Sequence, residues 1–322
     1  MGKILGIGNA LVDIMTQLPD DSFLSEFSLE KGSMQLVDRD LSERIDVASA
    51  HFEKSQSSGG SAANTIHAIA QLGMPCGYIG KVGKDALGEF FSRDMQENAI
   101  TPHMLVSDTE TGRAMALISK DSERTFGTYL GAAVELTPDD LVESYFSGYD
   151  VLHIEGYLLF NNELLTHAAK LAKNKGLKLS LDMASFNVVE ANLAFLKDYV
   201  KNYVDIVFAN EEEAKAFTGE EPRKALDTIA EMCEIAVVKV GKEGSWIKRG
   251  EEVLHVEANK AHAIDTTGAG DLYAAGFLFE WLQGKSLERA GLTGTILAGQ
   301  VIEVIGSKLP ADRWRKIKEQ IA

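Results

Sequence analysis

The sequence predicts an α/β fold: a mostly parallel central sheet with helices on both faces, plus two inserted segments that build a small β-lid. Three observations carry this expectation. After Pro138 four short apolar runs, "DVLHIEG", "LKLSLDM", "DIVFAN" and "IAVVKVG", alternate with helical segments, as strands buried on both faces do. "GSAANTIHAIAQLG" spaces Ala, Ile and Leu at helical intervals and stops at Gly73. From Thr111 to Leu130 the texture changes, with strand-like "RAMALISKD" and "RTFGTYLG" flanking the turn-forming "KDSE".

The remaining elements follow in order. "KILGIGNAL" reads as a first strand and "CGYIGKVG" as a short buried one. "DALGEFFSRDMQENA" is an amphipathic helix with Asp85 as its cap. "GSWIKRGEEVLHVEA" reads as a hairpin turning at "RGEE", and the last third as helices over Ala269–Gln283, Ser286–Ile305 and Asp312 to the end. No linker splits the chain, so a single domain is expected over residues 1–322. The lid segments are expected at about 13–49 and 111–130; inserts on the carboxyl edge of an α/β sheet usually cover a ligand site.

A net charge of −16 speaks against nucleic acid or an anionic membrane as partner. Such a chain can still hold phosphate where backbone amides and a metal ion supply a positive field. Cys76 and Cys233 are isolated, as suits a reducing compartment, and the seven histidines make no zinc pattern. Polar residues interrupt the apolar N-terminus early and no run reaches membrane-spanning length, so a cytoplasmic location is expected.

The chemistry concentrates in "DTTGAGD". If Gly268, Ala269 and Gly270 open a helix, their amides belong to its unpaired first turn and form an anion hole. Asp271 beside that hole suits a general base that takes a hydroxyl proton during phosphoryl transfer. It equally suits an acid favoured by the positive end of a helix. In "SSGGSAAN", Gly59 and Gly60 let a polyol approach the backbone ahead of Ser61, and Asn64 can both donate to and accept from hydroxyls. A plain turn and cap is the other reading. Asp13, just past the first strand, either clamps vicinal hydroxyls or caps a turn. Asn210 and Glu213 share one face of a helix start, which suits water-mediated Mg²⁺ near phosphates or an ordinary acidic helix start.

Taken in order, "GNALVDI", "SSGGSAAN", "NEEE" and "DTTGAGD" resemble the ribokinase-type (PfkB) carbohydrate kinase family, with "DTTGAGD" the most specific part. The resemblance runs from about Lys3 to the C-terminal helices. It implies a ribokinase-like fold, ATP as donor, Mg²⁺ as helper, and phosphorylation of a primary alcohol on a sugar or nucleoside. It makes Asp271 the base, Gly268–Gly270 the anion hole, and Asp13, Gly60 and Asn64 the hydroxyl clamp. Asn210 and Glu213 then organise Mg²⁺ and phosphate, while Asp265 and Thr267 hold a monovalent cation, usually K⁺. "GNALVDI", "KGSMQLVD" and "SERTFGTYLGAA" are most similar to the adenosine-kinase branch, which brings Arg124 from the lid to the transferring phosphoryl group. Met34 and Phe126 are the lid side chains expected to select the acceptor. The lid can serve a monomer or pair with a second lid in a homodimer. One departure stands out: Lys239 occupies the place of a threonine ahead of Gly241, both expected near the ATP phosphates.

Two rivals are weighed against this reading. "GIGNAL" offers G-x-G after a strand, but Leu11 replaces the third glycine of an NAD-dependent dehydrogenase fingerprint. A catalytically silent sugar- or nucleotide-binding regulator on the same fold has no use for Asp271 beside an anion hole. "GKS" at Gly284–Ser286 is expected to end one helix and begin the next.

Overall fold

Strands that are apolar at every position need cover on both faces, and the computed structural model provides it. It describes residues 2–121 and 123–322; Ser122, in the expected "KDSE" turn, lies outside them. Among the described residues the strands are β1 (Ile4–Ile7), β2 (Leu11–Gln17), β3 (Met34–Leu36), β4 (Lys54–Gly59), β5 (Cys76–Gly83), β6 (Ile100–Ser107) and β7 (Thr111–Ile118). They continue with β8 (Arg124–Gly131), β9 (Val151–Glu155), β10 (Lys178–Asp182), β11 (Ile206–Asn210), β12 (Ile235–Lys239), β13 (Ser245–Arg249) and β14 (Glu252–Val256).

Among these, nine strands form one sheet in the order β14-β13-β12-β11-β10-β9-β1-β5-β6. It is parallel from β12 through to β6, and the antiparallel pairs are β12–β13 and β13–β14. Alternate residues serve opposite faces, as the strand period requires. Along β11, Ile206 and Phe208 pack with the helices Ser61–Gln71 and Ala269–Trp281, while Val207 and Ala209 join the cluster around helix Asn162–Asn174. The architecture is the α/β arrangement the sequence predicts, a mostly parallel central sheet covered by helices with a second, smaller sheet beside it.

The other five strands form a second sheet, β3-β8-β7-β2-β4, drawn from Leu11–Gly59 and Thr111–Gly131. This alters the expected first strand. "KILGIGNAL" is one strand only to Ile7; the chain then turns through Gly8–Ala10 and enters the second sheet as β2. No helix follows the G-x-G, so that stretch is not a dinucleotide-binding turn. Asp13 accordingly lies inside β2, opposite Ser57 and Ala114, rather than past a strand end.

Local signals hold where they were strong. The Asp85 carboxylate accepts from the Gly88 amide at 2.8 Å, and Ser286 caps the helix Leu287–Val301 through Arg289. Strands β4 ("KSQSSG") and β6 ("ITPHMLVS") gave no apolar alternation to read. Both lie at sheet edges, where polar residues and Pro102 are tolerated because one flank makes no ladder.

Candidate active site

The central sheet delivers its polar residues at one edge. Glu155, Asp182, Asn210 and Lys239 are the last residues of β9, β10, β11 and β12. Register sets Glu155 beside Asp182 and Asn210 beside Lys239. Carboxyl ends of parallel strands are where α/β sheets bind ligands. A cavity of about 910 Å³ opens there, reached by Asp13 and Phe126 of the second sheet as well as by Asp182, Lys239 and Asp271.

Asp271 stands in the first turn of the helix Ala269–Trp281, whose N-cap is Gly268. Its Oδ1 accepts from the Ser61 hydroxyl at 2.6 Å and its Oδ2 from the Asn64 amide at 2.9 Å. Asn64 is itself fixed, because the Ser307 hydroxyl donates to its Oδ1 at 2.8 Å. Burial pushes the Asp271 carboxyl up to about 6 against the lowering effect of those two donors; Asp182 adds to the rise and Lys239 opposes it. The same acid therefore serves neither as a solvated surface charge nor as a simple cap.

Gly268 has φ +76°, and a Cβ there would come within 2.8 Å of Ser307, so glycine is required twice over. The three expected anion-hole amides are not equivalent. The Ala269 amide donates to the Thr266 carbonyl at 3.2 Å, because the turn before the helix closes on itself. Among the described residues no hydrogen bond engages the amides of Gly268 or Gly270, so of the three only these two are left unengaged. Lys239 settles against it: a Cβ on Gly270 would meet the Lys239 Nζ at 2.9 Å. That ammonium pairs with Asp182 Oδ2 at 3.0 Å. Burial works against its charge, but Asp182 and Glu213 hold its pKa above the usual value.

Asn210 and Glu213 form a reciprocal cap, with the Glu213 amide donating to Asn210 Oδ1 at 2.8 Å and both Asn210 nitrogens donating to the Glu213 carboxylate at 2.7 Å. Burial and the neighbouring Asp182 raise the Glu213 carboxyl to about 7. Oxygens of Asp182, Asn210 and Glu213 on one cavity wall are the hard donor set that magnesium takes. With both Glu213 oxygens already accepting from Asn210, contact through water fits better than direct ligation. Gly241 lines the same wall.

On the acceptor side, Gly60 caps the helix Ser61–Gln71 with φ +101°, and a Cβ there would strike the Asn9 carbonyl at 2.2 Å. Gly59 lies under Asp13, whose Oδ1 would be 2.2 Å from any Cβ at 59. Burial raises the Asp13 carboxyl to about 6, with Lys308 and Arg124 pulling it down and Asp271 pushing it up. Phe126 lines the cavity. Met34 pairs with it across β3 and β8 but is 52% exposed and outside the cavity lining, which corrects its expected part in acceptor selection. Residues alternate faces along β3, and Met34 shares the exposed face with Leu36.

The Asp265 carboxylate is already engaged where the expected monovalent cation would sit. The Asp265 Oδ2 pairs with Arg124 Nη1 at 2.6 Å and accepts from the Gly306 amide at 2.8 Å; Oδ1 accepts from the Thr267 amide at 3.1 Å. The Thr267 hydroxyl faces Arg124 Nη1 at 3.4 Å. Arg124 thus sits on Asp265 instead of projecting freely over the cavity.

Four residues that shape the site were not singled out from the sequence. Glu155 and Asp182 are acids that end apolar strands, a signal readable in "HIEG" and "SLDM". Ser307 and the buried Lys308, whose ammonium burial pulls down to about 8, lie in a loop with no local pattern. Glu155 is a keystone: it accepts from the Asn9 amide at 2.9 Å, the Asn9 side chain at 2.7 Å and the Ala62 amide at 2.9 Å. It thereby pins the turn between the two sheets to the helix that carries Ser61 and Asn64. Glu155→Ala strands these buried donors and is expected to cost about 3–5 kcal/mol by urea denaturation; a loss under about 1 kcal/mol would show that the turn does not depend on it.

The pfkB family carbohydrate kinase model matches residues 32–314. The chain belongs to the PfkB family of carbohydrate kinases. The dehydrogenase reading is therefore set aside. The kinase superposes on a probable sugar kinase from Rhizobium etli CFN 42 with a TM-score of 0.88 at 34% identity, covering 99% of this chain and 98% of that one. Adenosine kinase from Sinorhizobium meliloti gives a TM-score of 0.87 at 36% identity over 100% and 99% of the two chains. A 5-dehydro-2-deoxygluconokinase from Listeria monocytogenes is 29% identical over 280 residues, 82% of this chain and 86% of the relative. Family membership implies ATP as phosphoryl donor. No helix among the described residues is long and apolar enough to cross a membrane.

Proposed function

We propose that the kinase transfers the γ-phosphoryl group of ATP to a primary hydroxyl of a nucleoside of the adenosine type, with the whole chain acting as one domain and the second sheet as its lid. The observation that carries the reaction is the placement of Asp271: a half-buried carboxylate on the cavity wall with raised pKa, one residue beyond the free Gly270 amide. A base with pKa near 6 is ionised at neutral pH yet far more basic than an ordinary aspartate. The nucleoside acceptor rests on the 36% identity with an adenosine kinase over the full length and on an aromatic side chain, Phe126, at the cavity wall suited to stack on a base.

In this reading Asp13 holds the ring hydroxyls, with Gly59 and Gly60 leaving room for them and Asn64 adding an amide. Asp271 accepts the proton of the attacking hydroxyl. The Gly268 and Gly270 amides and the Lys239 ammonium stabilise charge on the migrating phosphoryl group, Lys239 serving in place of the family threonine. Mg²⁺, when bound, neutralises phosphate charge, held through water by Glu213 with Asp182. The lid excludes water that would otherwise consume ATP.

The test is ADP release with adenosine, other nucleosides, ribose and hexoses as acceptors. Adenosine is expected to give the highest kcat/KM. Turnover of a free sugar with none on adenosine would overturn the nucleoside reading while leaving the kinase chemistry standing.

A further inference from the structure

The charge of Asp265 is met by groups of the protein itself. A carboxylate offers about four lone-pair sites, and three here receive N–H groups: Arg124 Nη1, the Gly306 amide and the Thr267 amide. An alkali cation needs those same lone pairs, and the donor hydrogens turn their positive ends toward where it would sit. The Arg124 and Asp265 side chains are each 7% exposed. A second positive charge at that depth would stand uncompensated.

A second observation concerns the other edge of the guanidinium. Among the described residues, Arg124 Nε and Nη2 are buried and have no hydrogen-bond partner. Leaving such donors unmet is costly, unless a ligand supplies the acceptors. One edge of the guanidinium neutralises Asp265, and the other is left for an anion. A spherical cation has no such second edge.

We infer that the Arg124 guanidinium is the resident counter-charge of Asp265 and takes the part of the inorganic cation, so that the kinase needs no potassium. Arg124 begins β8 of the second sheet, whereas Asp265 precedes the anion-hole loop. The charge beside the hole therefore arrives with the lid, and positioning the loop and closing the lid become one event. The inference rests on the proposed anion hole for its functional meaning, but its test needs no substrate.

The experiment is thermal melting of the full chain, titrated with KCl or tetramethylammonium chloride at constant ionic strength. Wild type is expected to show the same Tm in both salts. In Arg124→Gln the acid loses its counter-charge, and KCl is expected to give a saturable rise of roughly 2–4 °C over tetramethylammonium. A saturable, potassium-selective rise in the wild type would overturn the inference. So would an Arg124→Gln protein as indifferent to potassium as the wild type, since Asp265 would then attract no cation at all. If Arg124→Gln does not fold, the wild-type titration still decides. Failure of the nucleoside reading would leave these curves unchanged and shows itself only in the acceptor assay.

Discussion

Asp271→Asn lowers kcat by about 10²–10⁴-fold while leaving the KM for ATP within a few-fold of wild type. The amide keeps the bulk of the side chain and one acceptor for Ser61 or Asn64, so the cleft retains its shape. What it loses is the capacity to take a proton. The wild-type pH profile provides a second readout. Asp271 acts as base only when ionised, and its pKa in the free enzyme is raised to about 6. The kcat/KM of the wild type should therefore fall as pH drops through about 6, well above the value of 3.8 for an ordinary aspartate. The variant should lose the component of that limb due to the base. Steady-state ADP release across pH checks both, and turnover near wild type in Asp271→Asn would remove Asp271 from the chemistry.

Asp13→Ala is the second large effect, and it falls on binding. The carboxylate rests on Gly59 with no side chain between them, half-buried on the cavity wall. Removing it takes from the acceptor hydroxyls their charged hydrogen-bond partner. Charge-assisted hydrogen bonds contribute about 1.5–3 kcal/mol, so KM for the acceptor should rise by about 10–10²-fold with little change in kcat. The two variants thus separate: one loses rate at similar affinity, the other loses affinity at similar rate. An unchanged acceptor KM in Asp13→Ala would place the hydroxyl clamp elsewhere.

Much of the fold was legible because its signals are local. The buried strands β9 to β12 announce themselves as apolar runs, and Asp85 and Ser286 cap their helices through contacts three residues away. Periodicity failed where a strand had no buried face to pattern, as in polar β4. It also failed where one apolar stretch served two sheets, as between β1 and β2. There the break is made by Gly8–Ala10 pinned to Glu155, which lies 146 residues further along the chain from Asn9.

The candidate site divides the same way. "DTTGAGD" alone marked a helix start with glycine amides and an acid, because helix termini expose their donors whatever surrounds them. It could not say that Ala269 spends its amide on Thr266, since that depends on how the preceding turn closes. Nor could it say that Asp271 meets Asn64 across 207 residues of chain, that Lys239 leans on Gly270, or that Arg124 pairs with Asp265 across 141 residues, from 124 to 265. The sequence by itself determined the buried strands, the helix starts and the glycine-rich turn ahead of Asp271, all set by residues within a turn or two of each other. The tertiary structure alone decided which acid is buried and how far its pKa moves, and which cation balances which carboxylate, because desolvation and Coulomb energy depend on distance in space rather than along the chain.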